Sequence, residues 1–476
     1  MLSKYLKYGY LITICTILPL YMAHGYFELG ESKAIAYLVM SLIFALLFLL
    51  VQNRNFFKAE KLSPLLSYAL LTFLFSNVVS FIYSVDKKVS FLGLSGWRNG
   101  LLTTLLCLFF FYVFYEEDRV SYYIIAAVLM TPLLESVLVI LNRFDVYPFE
   151  IYGKNAAFVA TIGNINWFVG YMSVFVPLGI GLCYRMKLFS KEFFMCSIYV
   201  LVTLMALMLQ GSDSAALVLC ASFVVLLFFS IATREGFRKY LAILFILGLS
   251  MEGSFIIYSI YEKRYVYEDN LLLSVCKLHT GLILMAFVFF MFCISRLFEA
   301  IGFHFMEKTY RYIAGFIVTI ILLTGVYYVF ISFDLTMGNG RGLIYSMSLD
   351  MFGRMDQFRK LVGTGQDCFK AYAYSDIETA DSLLNIFGGN ILTNAHCAPL
   401  TILIERGLLG LSAYVLLIAA FVKEIYSKRN KHAGVICALI LASYLVNSFV
   451  SFDLVISTPY LFVAMAIGLS IKEISN

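Results

Sequence analysis

An all-α bundle of membrane-spanning helices is the fold this chain predicts, on three observations. Apolar residues make up 61% of the 476 and charged residues 14%, where a soluble domain carries roughly 25% charged. The apolar residues gather in fourteen runs, each near the roughly 20 residues a helix needs to cross a bilayer. The 45 Phe and 33 Tyr add side chains suited to lipid and to its interface. The net charge of +5 does not point to nucleic acid, because the basic residues sit in short loops rather than in a patch. Ten cysteines without C-x-x-C or Cys/His spacing predict neither a disulfide scaffold nor a metal site.

The runs fall near 8–26, 34–52, 63–84, 100–115, 120–142, 166–185, 192–210, 213–232, 240–259, 271–295, 312–332, 398–422, 433–451 and 456–472. Lys4 and Lys7 precede the first, as in a signal peptide, but no small-x-small cleavage pattern follows, so an uncleaved span is expected. A very short turn separates 192–210 from 213–232; if these two fuse, or one is re-entrant, the count is twelve instead of fourteen. With the N-terminus cytoplasmic, 20 Lys and Arg fall in inner short loops and ten in outer ones, which places both termini in the cytoplasm. Residues 333–397 form one long outer loop. The chain thus divides into 1–332 with about eleven spans, the outer loop 333–397, and 398–476 with three spans. Within the loop, Ile344, Met347, Met351, Met355 and Phe358 recur at helical spacing. They predict an amphipathic helix over 341–361, lying on the membrane surface or capping the bundle.

Polar residues gather at the outer ends of segments far apart in sequence. His396 stands in "TNAHCAPLTILIERGLLGL", where a neutral imidazole could take a proton. Gly407 and Gly410 lie on the helix that follows and would admit a neighbouring backbone. Arg341, in "GNGRGL", sits where a helix N-terminus and a guanidinium fork together suit phosphate or carboxylate. Trp97 and Arg98 flank the fourth span; Asn164, Asn166 and Trp167 open the sixth; Asp213 occupies the turn "QGSDSAAL". Alone, each is equally an interfacial anchor or a helix cap. Their convergence on one face predicts an assembled site.

Three of these stretches together resemble the O-antigen ligase and polymerase superfamily. In "HCAPLTILIERGLLG" nine residues separate His396-Cys397 from Gly-x-x-Gly; "GRGLIYSMSLDMF" with the later "GTGQDCF" is similar to the family's outer-loop segment; "GNINWFVGY" resembles its Gly-Asn-x-Asn stretch. The resemblance implies a multi-pass protein of the bacterial cell membrane with an extracytoplasmic active site. Its implied activity is metal-independent, cofactor-free inverting glycosyl transfer from a polyprenyl-pyrophosphate-linked glycan to a hydroxyl acceptor, either a glycan or a lipid. A flippase and a chain-length regulator would be its partners. His396 then matches the base for the acceptor hydroxyl and Arg341 the pyrophosphate anchor.

The sequence departs from the family in two places. Asp213 stands where a second arginine is common, which leaves Arg98 as the other candidate cation for pyrophosphate. Asp213 would then bind sugar hydroxyls or pair with Arg98, while Asn164 and Asn166 would orient sugar or phosphate oxygens or cap the following helix. Cys397 replaces an amide or hydroxyl residue. With Cys368 it makes the only cysteine pair of the outer loop, and a disulfide there would contribute about 3–4 kcal/mol. The rival function is transport of lipid-linked glycan, which would place ionisable residues deep in several spans; Glu135 and Glu252 are the chief candidates.

Overall fold

The structure is a computed structural model that describes residues 2–51, 62–115, 120–268, 270–302, 305–331, 337–388, 391–428 and 431–470. It is an all-α, multi-pass helical bundle with almost no strand. The chain opens with α1 (Leu2–Ile12), which runs through a π turn (Thr13–Ile17) into α2 (Leu18–Leu20). There follow α3 (Leu29–Val51), α4 (Pro64–Ile82), short α5 (Lys87–Leu92), α6 (Leu101–Phe114) and α7 (Tyr122–Arg143). Strands β1 (Phe158–Val159) and β2 (Gly163–Asn164) form a small hairpin ahead of α8 (Ile165–Arg185). The second group is α9 (Lys191–Leu209), α10 (Ser214–Ser230), α11 (Arg234–Tyr261), short α12 (Leu271–Lys277), α13 (Thr280–Ala300) and α14 (Phe305–Ile331). The long segment between α14 and α19, outer in the topology expected from the sequence, carries α15 (Met337–Arg354), α16 (Gln357–Val362), α17 (Phe369–Ala373) and α18 (Ile377–Phe387). The chain closes with α19 (Ala398–Ser427), α20 (His432–Ser448) and α21 (Thr458–Ser470).

Among the described residues, eight helices are long and apolar enough to cross a membrane, and four more are apolar but shorter. The runs 192–210 and 213–232 do not fuse; they form α9 and α10, joined by the "QGSD" turn. The run 271–295 is not one helix. His279 adopts a left-handed φ of 52° and separates α12 from α13.

α8 lies at the centre of the bundle. Its glycines let neighbours close in on all sides: a Cβ on Gly181 would stand 2.6 Å from Ile436 of α20, and one on Gly179 would enter the Tyr199 ring of α9. Such close contact is how helices associate where lipid supplies no hydrophobic drive. Just before α8, the hairpin tip Val159–Ile162 is buried. Irregular backbone survives at that depth only when protein satisfies it, and Glu135 of α7 does so by accepting the Thr161 N–H at 3.1 Å.

The outer segment corrects one expectation. The helix predicted over 341–361 is two helices, because Asp356 caps a new start by accepting the Arg359 N–H at 2.9 Å. Ile344, Met351 and Met355 turn inward and build a small core with Phe369, Leu383, Leu392 and Ile404. Phe358 leaves the stripe and sets its ring 4.9 Å from Tyr83. The stripe therefore caps the bundle rather than resting on lipid.

Candidate functional site

α19 is broken where Gly407 adopts φ 65° and ψ −167°. The break turns the carbonyls of Ile404 and Glu405 away from the helical ladder, and both find other donors. Thr364 N–H reaches Ile404 O at 3.1 Å, Gly365 N–H reaches Glu405 O at 2.8 Å, and the Ser80 hydroxyl adds a third bond at 2.6 Å. A Cβ on Gly407 would stand 2.3 Å from Leu361 O, so only glycine admits the outer segment here. Gly410 has a different use from the one expected: its missing side chain makes room for Arg406 of the same helix, 2.2 Å from where a Cβ would lie.

"GTGQD" is the wedge that fills the break. Gln366 donates to Asn77 of α4 at 2.9 Å, and Asp367 accepts the backbone N–H groups of Leu94 and Asn99 at 2.6 and 3.0 Å. Burial pushes the Asp367 carboxyl up from its usual range, and the two N–H groups oppose that rise. By holding Leu94 and Asn99, Asp367 fixes the turn that carries Trp97 and Arg98.

His396 sits two residues ahead of α19 with φ 48°. That left-handed conformation is sustained by a side-chain turn, in which Asn394 Oδ1 accepts the His396 N–H at 2.9 Å. Gly340, in the first turns of α15, has φ 82°, and Arg341 follows it. One turn on, Tyr345 donates to the carbonyls of Phe449 at 2.8 Å and His396 at 3.3 Å. Tyr345 thus ties α15 to the His396 backbone, and Arg341 on the same helix lies within charge reach of the imidazole. Burial and then the Arg341 charge push the imidazole down to about 4. Asp213 lies within charge reach of Arg341 on the other side.

Aromatic rings wall this cluster. The Phe452 ring stands edge-on to His396 at 5.5 Å and to Trp97 at 4.8 Å, and Trp97 stands edge-on to Trp167 at 5.5 Å. Trp97 Nε1 donates to Thr393 Oγ1 at 3.0 Å. Both tryptophans of the chain thus meet, each delivered by a different expected segment, and Trp97 reaches the histidine through Phe452.

Other expected residues are otherwise engaged. The guanidinium of Arg98 grips Glu31, with Nε at 2.9 and 3.1 Å from its two oxygens; it pairs neither with Asp213 nor with an open anion position. Asp213 instead accepts the Leu271 N–H at 2.8 Å. Asn164 caps α8 by accepting the Asn166 N–H at 2.9 Å, and Asn166 accepts the Ser212 hydroxyl at 2.6 Å, which ties α8 to the "QGSD" turn. Cys368 and Cys397 are both free thiols. Cys368 Sγ points to Asp86 O at 3.6 Å while Cys397 stands at the first position before α19, so the expected disulfide does not form.

Three residues of the cluster were not singled out from sequence. Tyr345 could have been found from its i,i+4 spacing to Arg341, which places both on one helix face. Asn394 could have been found from the Asn-x-His turn pattern. Phe452 carries no local signal. Among the described residues, no group of three His, Cys, Asp or Glu has metal-binding geometry. Neither the family models nor the curated proteins compared with this chain match it.

Proposed function

We propose that the chain is a membrane glycan polymerase or ligase. It transfers a polyprenyl-pyrophosphate-linked oligosaccharide to a hydroxyl acceptor at the extracytoplasmic face of a bacterial cell membrane. The observation that supports this reading is the meeting of Arg341 and His396, one on the outer segment and one at the mouth of α19, in a single charge-coupled cluster.

In this reading Arg341 holds the pyrophosphate and stabilises the negative charge that grows as it departs. His396 accepts the proton of the acceptor hydroxyl. The hydroxyl oxygen forms a bond to the anomeric carbon while the bond from that carbon to the pyrophosphate oxygen breaks, its electron pair leaving with the pyrophosphate. A single displacement of this kind inverts the anomeric configuration. The rings of Trp97 and Phe452 offer apolar faces to the sugar, and Asp213 accepts its hydroxyls. An imidazole near pKa 4 is a weak base. A bound pyrophosphate would offset the Arg341 charge and raise the imidazole toward its ordinary value, so the base strengthens when donor is present. The Lys and Arg bias supports the outer placement, and a flippase and chain-length regulator would supply donor and set product length.

The test is transfer by purified protein from a labelled lipid-linked donor. His396→Ala should retain donor binding and lose transfer; unchanged transfer would refute the reading. The alternative, transport of the lipid-linked glycan, draws on the buried Lys33 and Glu135. Donor translocation in proteoliposomes without acceptor would favour it.

A further inference from the structure

A second polar cluster lies at the opposite end of the bundle, where α11 begins and α13 ends. There a cavity of about 580 Å³ is lined by Arg234, Arg238, Arg296, Glu235 and Glu299, with Leu188, Phe189 and Phe292 beside them. We propose that this cavity binds the phosphate of an anionic phospholipid headgroup, with the acyl chains lying along α13. The proposal is independent of the glycan-transfer reading.

Charge is the first argument. Arg238 Nη2 and Arg296 Nη1 each approach Glu299 Oε2 at 2.9 Å, and Arg234 Nη1 approaches Oε1 at 3.8 Å. Glu235 is engaged by Lys239 at 3.0 Å. The lining thus sets three guanidinium groups against the two carboxylates of Glu235 and Glu299, with the Lys239 ammonium beside them. Arg238 is buried and aimed by Ser295, with Nε at 3.0 Å from its hydroxyl and Nη2 at 2.9 Å from its carbonyl. The Arg296 side chain is 62% exposed and can turn toward a ligand. Planar guanidinium forks match phosphate oxygens.

Shape is the second argument. The apolar side of the cavity opens beside α13, whose Phe289, Phe290 and Leu297 are exposed as a lipid-facing surface is. Phe189 projects from the α8–α9 loop at the same level, 63% exposed, in the manner of an interfacial anchor. A cationic end joined to an apolar side fits an amphiphile better than a soluble anion. Basic pockets between helix ends are where anionic headgroups bind.

The experiment is thermal unfolding of the detergent-purified full chain with added phosphatidylglycerol, phosphatidylcholine or inorganic phosphate. Phosphatidylglycerol should raise Tm by roughly 3–5 °C and phosphatidylcholine should not. The shift should shrink in Arg296→Gln, whose exposed side chain is not needed for folding, and vanish in Arg234→Gln/Arg296→Gln. Glu299→Gln removes the competing carboxylate and should lower the phosphatidylglycerol concentration needed for half the shift several-fold. A purely structural ion cluster would instead lose stability on that change, with no lipid dependence. Equal shifts from both lipids, full reproduction of the shift by inorganic phosphate, or a shift that survives in the double variant would each overturn the proposal.

Discussion

The polar cluster around Lys33 and Glu135 and the one around His396 and Arg341 are built on opposite principles. Around Lys33 and Glu135 everything is spent. The Lys33 ammonium donates to the carbonyls of Leu18, Pro19 and Tyr21 at 3.2, 2.5 and 3.0 Å. Glu135 takes the N–H and hydroxyl of Thr161 at the hairpin tip. The lysine closes the end of a helix and the glutamate closes a hairpin, each within charge reach of the other. Around His396 and Arg341 the neighbours are fixed, but among the described residues neither the imidazole nor the guanidinium has a hydrogen-bond partner. A fully satisfied network rigidifies a fold; groups held in place yet left unbonded are what a substrate can use. Position in the membrane therefore does not by itself separate structure from chemistry. Between these two clusters, the state of the hydrogen bonds does.

The sharpest way to break this contrast is at its two ends. His396→Ala should lower transfer by about 10²–10⁴-fold with donor affinity and Tm kept, the usual contribution of a positioned base. Glu135→Ala should do the reverse: about 3–5 kcal/mol of stability lost, as when one partner of a buried ion pair is removed, with transfer per folded molecule unchanged. Lys33→Met/Glu135→Gln should recover part of that loss in denaturant unfolding. A folded Glu135→Gln protein that binds donor but neither transfers nor translocates it would erase the distinction.

Arg341→Gln sharpens it next. Charge-assisted hydrogen bonds are worth roughly 1.5–3 kcal/mol, so donor affinity should fall about 10- to 150-fold in a binding assay. The same variant should move the pH profile. Burial and Arg341 hold the free imidazole near 4, against an ordinary value of about 6.5. In the parent protein kcat/KM, which reports the free enzyme, should stay level until the pH approaches 4. Removing the Arg341 charge should shift that acidic limb upward. The same depressed value sets a stability trend. Protons bind the unfolded imidazole more readily, so stability is complete above about pH 6.5 and declines as pH falls toward 4. A limb that stays put in Arg341→Gln would mean the two groups do not feel one another. The smallest effect is expected at Tyr345→Phe, which removes the hydroxyl bonds to Phe449 and His396. It should cost about 0.5–1.5 kcal/mol in Tm-derived stability.

Much of the architecture was legible in the chain itself. Hydrophobic period and run length are local properties, and they located the apolar helices, the long segment between α14 and α19, and the start of α19 at Ala398. Residue chemistry marked His396 and Arg341, because an arginine and a histidine at membrane-helix ends are conspicuous against so apolar a background. It also marked Arg98, Asn164 and Asn166, whose side chains turned out to be occupied by Glu31, by a helix cap and by Ser212. Sequence can name a polar group but does not say who its partner is. The "GTGQD" segment shows this most clearly. Its glycines suggested a turn, yet their use depends on a break at Gly407, 42 residues after Gly365, that frees two carbonyls for it.

Composition and periodicity thus settled what kind of body this is and which residues could bear chemistry, because burial in lipid constrains every helix in the same way. Tertiary packing alone decided which of those residues find hydrogen-bond partners among the described ones. That choice rests on partners such as Phe452, Asp367 and Glu31, reached only when segments from tens to hundreds of residues apart close on one another, and no local period records such a meeting.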